Sequence, residues 1–335
     1  MGSSLGVSRR VLVAGALGLA AIACVFTVPN SLGPRLEEGF DALRQGEPYG
    51  LWLGCALFIA SLLCSAGAWR TGIGECGGRV GWFRAAASYG AGSFANSLLP
   101  ARVGDGVRIA LFSRAIEGRN AAWTSSGVFI LLGATRSLAL VGLVAAAAAL
   151  GAVPVWTVFI LVGLGAAAAV VATAVRKTEA RSRLSHLLDA FRAFGRSPRA
   201  SLAVIGWGVG STAARLLAAT AIAAALGVPS PLLAALVIVP ALELAGLLPL
   251  TPGNVGITSG AVAVALRARG IDLSSAMTIG IAFHAVEMAA GLGFGSASVL
   301  YLTGARSVTA RRVATALAAS GALAVAAAFA AMFVI

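Results

Sequence analysis

The chain has 335 residues, of which 59% are hydrophobic and only 11% charged, with a mean hydropathy of +0.93. Soluble domains run about 45–50% apolar and about 25% charged, which argues against a soluble fold, a disordered chain or a disulfide scaffold and for membrane spans of about 20 residues each. The net charge of +13 would suit nucleic acid, but its placement along the chain accounts for it without one.

Arg9 and Arg10 precede an apolar run over 11–28. No small-residue cleavage site follows and many further spans do, so a retained first helix is expected rather than a signal peptide. Long apolar runs then cover 51–68, 121–144, 154–175, 201–226, 274–302 and 313–335. Two other stretches, 85–114 and 231–266, are apolar but interrupted near their middles by Pro, Gly and polar residues. The expected fold is therefore an all-α polytopic membrane protein, with seven full spans plus two broken or re-entrant segments in a single integral domain over 1–335. Cys24, Cys55, Cys64 and Cys76 show no Cys-x-x-Cys spacing and read as buried single thiols.

Loop charge sets the orientation, because Lys and Arg in short loops mark the cytoplasmic side. Net charge is +2 over 1–10, +4 over 69–119, +5 over 176–199 and +3 over 304–312, against −2 over 29–50. A cytoplasmic N-terminus and an outer C-terminus in the cytoplasmic membrane collect all the basic segments on one side. Each interrupted stretch must then return to the face it entered from, as a re-entrant pair of half-helices or as two short full spans. Irregular backbone at that depth is tolerated only against protein or a polar cavity.

The two interruptions share a pattern, Leu-Leu-Pro-x-x-x-Gly-[Asp/Asn], at 98–105 and 247–254, an offset of 149. One span precedes each interruption and two follow it. An inverted-topology repeat is expected, with halves 49–175 and 200–335 after the first helix 11–28; in transporters so built the substrate site lies where the half-helices meet. The linker 176–199 carries Leu184, Leu187, Leu188, Phe191 and Phe194 among basic residues and reads as an amphipathic helix on the inner leaflet.

The run Asn96-Ser-Leu-Leu-Pro-Ala-Arg-Val-Gly-Asp-Gly-Val-Arg108, with Leu248-Pro-Leu-Thr-Pro-Gly-Asn-Val-Gly256, resembles the flippase-like membrane domain of lysylphosphatidylglycerol synthases and its stand-alone relatives. The likeness covers roughly residues 10–335 in the order of segments. It departs at Asn254, where members often carry a second Gly. The resemblance implies movement of an anionic, aminoacylated or polyprenyl-phosphate-linked lipid between leaflets. It also implies a stand-alone form without the aminoacyl-transfer domain, so lysyl transfer by this chain alone is not expected. A non-catalytic membrane partner of a cell-envelope or lipid-modifying enzyme is the alternative, and a prenyl-phosphate transferase is disfavoured because only Asp105 and Glu243 stand at the breaks to hold Mg²⁺.

Arg102 and Arg108 flank Gly104-Asp105-Gly106, and a guanidinium holds two phosphate oxygens at once. They bind a phosphate, or they pair with Asp105 or reach to water. Arg136 lies well inside an apolar run, where a central Arg costs roughly 2.5–3.5 kcal/mol, so it needs a cavity or a partner, with Glu243 and Glu287 as candidates. His284 and Glu287, three apart on one helix face, form a protonatable pair or an interhelical contact. Asn96, Thr251 and Asn254 suit a headgroup or the capping of half-helices, and Pro100, Gly104, Pro249, Pro252 and Gly253 mark the breaks. No catalytic constellation, metal site or cofactor is expected, and no nucleotide-binding loop is present, since the one lysine, Lys177, follows Arg176. The expected partners are membrane lipids, with an envelope-biosynthesis enzyme as a further candidate and no nucleic acid.

Overall fold

The computed structural model describes residues 33–99, 102–118, 120–155, 157–159, 162–163, 165, 191–246 and 256–303, the side chains of 33–37 excepted. The expected first helix 11–28, the span 313–335, nearly all of the span 154–175, linker residues 176–190, and Pro100, Pro249, Thr251, Pro252, Gly253 and Asn254 lie outside these residues.

Every regular element among the described residues is a helix. In chain order they are α1 (Gly33–Gln45), α2 (Pro48–Glu75), α3 (Trp82–Leu98), α4 (Val103–Ser113), α5 (Ala121–Ala149), α6 (Pro198–Ala225), α7 (Pro231–Ala245), α8 (Ile257–Arg267) and α9 (Leu273–Thr303). Four of them, α2, α5, α6 and α9, have 28 to 31 residues and are apolar enough to cross a membrane. At 1.5 Å per residue each is about 42 Å or more in length, beyond the roughly 30 Å of hydrocarbon. Their outer faces carry bare apolar side chains such as Ile130, Leu138, Leu202, Ile205 and Val209.

Local chemistry sets the helix starts. Pro48 and Pro198 open α2 and α6 at the first turn, where the missing N–H removes no hydrogen bond. Ser197 also caps α6 by accepting from the Ala200 N–H at 3.4 Å. Asp272 caps α9, accepting from the N–H groups of Ser274 and Ser275. Hydrogen bonds from Ser275 and Ser274 hold its carboxyl down to about 2.

The segment 29–50 looked like a simple acidic loop, yet it contains α1. Glu38 and Asp41 face out, whereas Leu43 is buried and Gly39 sits against Ile281 of α9. Its few apolar positions are spaced for one buried face, and the charges conceal it.

Both interrupted stretches fold as two helices around a break: α3 and α4 have 17 and 11 residues, α7 and α8 have 15 and 11. At 1.5 Å per residue none exceeds about 26 Å, too short to cross the hydrocarbon alone. Four residues separate the end of α3 from the start of α4, and eleven separate α7 from α8. The start of α8 accordingly stands 154 residues after that of α4, against the 149 of the paired motifs.

α2 and α6 pack antiparallel at the centre. The Glu47 N–H donates to the Ala225 carbonyl (3.0 Å), the Arg215 guanidinium lies 5.9 Å from the Phe58 ring centroid, and the Ser61 and Ser211 hydroxyls are 3.0 Å apart. A β carbon at Gly54 would run into Ile222, so glycine is what allows this approach. The pairings around this centre recur when α2–α5 are exchanged for α6–α9. α3 packs on α9 as α7 does on α5, and α4 on α5 as α8 does on α9. Even α1 on α9 has a counterpart in the helical residues 191–196, whose Phe194 is buried against Leu131, Leu132 and Val204. Phe194 of the expected surface helix thus faces protein.

Candidate functional site

A cavity of about 520 Å³ opens between the two breaks and the long helices. Its wall draws on α2, α3, α4, α5, α6, α7, α8 and α9, and includes Asn96, Arg102, Asp105, Arg108, Arg136, Glu243, His284 and Glu287. These are all the described polar residues singled out in the sequence. Four arginines (102, 108, 136 and 215) face three carboxylates (105, 243 and 287), a formal excess of one positive charge with His284 neutral.

At the first break, Arg102 adopts the left-handed conformation (φ 53°) just before α4. That costs a non-glycine residue roughly 1–2 kcal/mol, and it turns the chain sharply from α3 into α4. The Arg102 side chain is exposed in the cavity and reaches across to the second break, within 3.3 Å of where a β carbon on Gly246 would sit. Gly104 is buried against the Gly92 carbonyl and the Asn96 side chain, leaving no room for a β carbon.

Asn96 ties this break together: its Oδ1 accepts from the Gly104 N–H (2.7 Å) and its Nδ2 donates to Asp105 (3.2 Å). The Gly104 amide is therefore capped from α3. Arg108 is held on all three nitrogens. Nη1 donates to Asp105 (2.7 Å), Nη2 to the Ser93 hydroxyl (2.8 Å) and Nε to the Tyr89 carbonyl (3.4 Å), with the guanidinium 4.1 Å from the Tyr89 ring centroid. The pair with Asp105, weighed in the sequence against phosphate binding, is formed, and its geometry is that of a positioning group for α4.

The second cluster stands at mid-length of the long helices: Arg136 is fifteen residues into α5, Arg215 seventeen into α6 and Glu287 fourteen into α9. Arg136 Nη2 donates to Glu243 Oε1 at 2.6 Å, yet half of its side chain remains exposed to the cavity. Arg215 Nη1 donates to the same oxygen at 3.0 Å, and Nη2 donates to Glu287. His284 is buried, with Nδ1 3.9 Å from Glu287 Oε2 and no hydrogen-bond partner for either ring nitrogen among the described residues.

Arg215 was not singled out in the sequence, although it lies well inside the run 201–226 and the cost argument made for Arg136 applies to it unchanged. Tyr89 and Ser93 carried no sequence signal; only the fold brings them to Arg108. Among the described residues no three of His, Cys, Asp and Glu gather as a metal site.

Among the described residues, the helices and the cavity define a helical membrane protein with a charged chamber at the mid-length of its long helices. Residues 10–295 match the family model described as "Lysylphosphatidylglycerol synthase TM region", and the chain belongs to that family. Membership implies a membrane function connected with lipid. No curated protein and no solved structure matches the chain.

Proposed function

We propose that this protein is a flippase-like lipid translocase of the cytoplasmic membrane, moving an anionic, aminoacylated or polyprenyl-phosphate-linked lipid between leaflets. The observation that carries the reading is the arginine-rich cavity between the two broken segments, halfway along the long helices. The headgroup enters the cavity while its chains stay in lipid. Arg136 and Arg102 are the receiving cations, since Arg136 is half exposed and Arg102 is directed into the cavity from a strained turn. Arg108, Asp105 and Asn96 hold the first break in shape, and Thr251 and Asn254 contribute polar groups at the second. Pro100, Gly104, Pro249, Pro252 and Gly253 allow the breaks. His284 and Glu287 are the proton-coupling pair, if movement is coupled to protons.

The architecture in this reading is an inverted repeat with seven full spans and two re-entrant segments, halves 49–175 and 200–335, after a first helix with its N-terminus in the cytoplasm. It draws support from the recurring helix order, the antiparallel α2–α6 pair and pairings that survive exchange of the halves. In two inverted halves, equivalent central helices run antiparallel and meet at equivalent residues. Ser61 and Ser211 are such a pair, at the 150-residue offset of Pro48 and Pro198.

Mass spectrometry of lipids retained through purification in mild detergent tests the function, comparing wild type with Arg136→Ala. Enrichment of one anionic or polyprenyl-phosphate species that the substitution lowers by about tenfold is expected, the worth of one charge-assisted contact. A bulk-lipid profile indifferent to Arg136 would favour the non-catalytic partner instead.

A further inference from the structure

Glu243 has an unusual position for a carboxylate in a chamber built to receive anions. It stands at the end of α7 just before the second break, and both Arg136 and Arg215 donate to one of its oxygens, Oε1. The two arginines are not equivalent. Arg215 has a second carboxylate, Glu287, on its other terminal nitrogen, and only a fifth of its side chain is exposed. Arg136 has Glu243 as its carboxylate among the described residues and leaves half of its side chain open to the cavity.

An incoming phosphate and Glu243 therefore compete for the same guanidinium. Displacing Glu243 from Arg136 strands neither partner, because Arg215 still holds the carboxylate while the ligand takes Arg136. Departure of the ligand is assisted in the same way, as Glu243 returns to Arg136 with no charge left unpaired at the chamber's centre. Unpaired charge there is the expensive state.

We infer that Glu243 is a tethered counter-anion that occupies Arg136 in the empty chamber, weakens the hold on an anionic headgroup and so sets how readily that headgroup is released. This rests on the lipid-translocase reading. It assigns Glu243 a part opposite in sign to that of an ordinary structural carboxylate, whose loss would loosen the site.

The test is binding by purified protein in nanodiscs, with phosphatidylglycerol as the anionic probe and phosphatidylcholine as the uncharged-net control. Glu243→Gln keeps the shape and removes the charge. It is expected to tighten phosphatidylglycerol binding by about tenfold, again the worth of one charge-assisted contact, and to leave phosphatidylcholine unchanged. Arg136→Gln combined with Glu243→Gln should lose that gain. Unchanged or weaker phosphatidylglycerol binding by folded Glu243→Gln overturns the inference. If that variant does not fold, Glu243→Asp carries the test: it keeps the charge but shortens the reach to both arginines. Tighter binding by a smaller factor supports the inference, and equal or weaker binding overturns it. A wild type with no preference between the two lipids fails the translocase reading as well; a wild type that prefers phosphatidylglycerol, with no gain on substitution, fails the inference alone.

Discussion

Arg215 donates to carboxylates from two other helices, Glu243 on α7 and Glu287 on α9, and thereby fastens three elements at one point. Removing one partner of a buried ion pair costs about 3–5 kcal/mol, because the other is left charged and unsolvated. Arg215→Gln is accordingly expected to lower the thermal midpoint in detergent markedly, and Arg215→Gln with Glu287→Gln to recover part of the loss. Equal midpoints for wild type and the single variant would show that Arg215 holds nothing together. The sequence contained this residue in plain view, as an arginine in an apolar run. Its partners were not legible, since Glu243 and Glu287 lie 28 and 72 positions away and only helix packing brings them near. For Arg136 the two candidates were named beforehand, and the structure pairs it with Glu243.

At the scale of elements, runs of hydrophobicity long enough for α2, α5, α6 and α9 were readable directly, because nothing but a helix satisfies backbone groups over that length of lipid. The breaks were readable too, from Pro and Gly inside apolar stretches. What the sequence left open was whether each broken stretch made half-helices or short spans, a question that parity of crossing does not answer. Helices of 11 to 17 residues argue for half-helices. α1 was missed because its buried face amounts to little more than Gly39 and Leu43. If α5 and α9 are equivalent helices of opposite direction, their starts lie on opposite sides of the membrane. Single cysteines in place of the exposed Glu117 and Ser274, in a background without the native cysteines, should then label from opposite faces with impermeant thiol reagents. Labelling from the same face would remove the inverted repeat.

For the whole molecule, the cavity gathers the charges that stand at mid-length of the long helices. The chamber gathers side chains from both halves of the chain, so neither half encloses it alone. Composition announced a membrane protein, the motif around 96–108 pointed to the family, and the family match over 10–295 agrees. The chemistry of the chamber was only partly legible: the cations were visible as sequence anomalies, whereas the sharing of Glu243 between two of them depends on where α5, α6 and α7 meet. The most direct measurement is transbilayer movement of fluorescent phosphatidylglycerol in proteoliposomes, read by quenching from the outer face, with phosphatidylcholine and Arg136→Ala as comparisons. A protein-dependent rate for the anionic lipid that falls about tenfold or more in Arg136→Ala is expected, from loss of a charge-assisted contact. Movement no faster than in protein-free vesicles, or equally fast for both lipids and both proteins, would contradict the translocase reading.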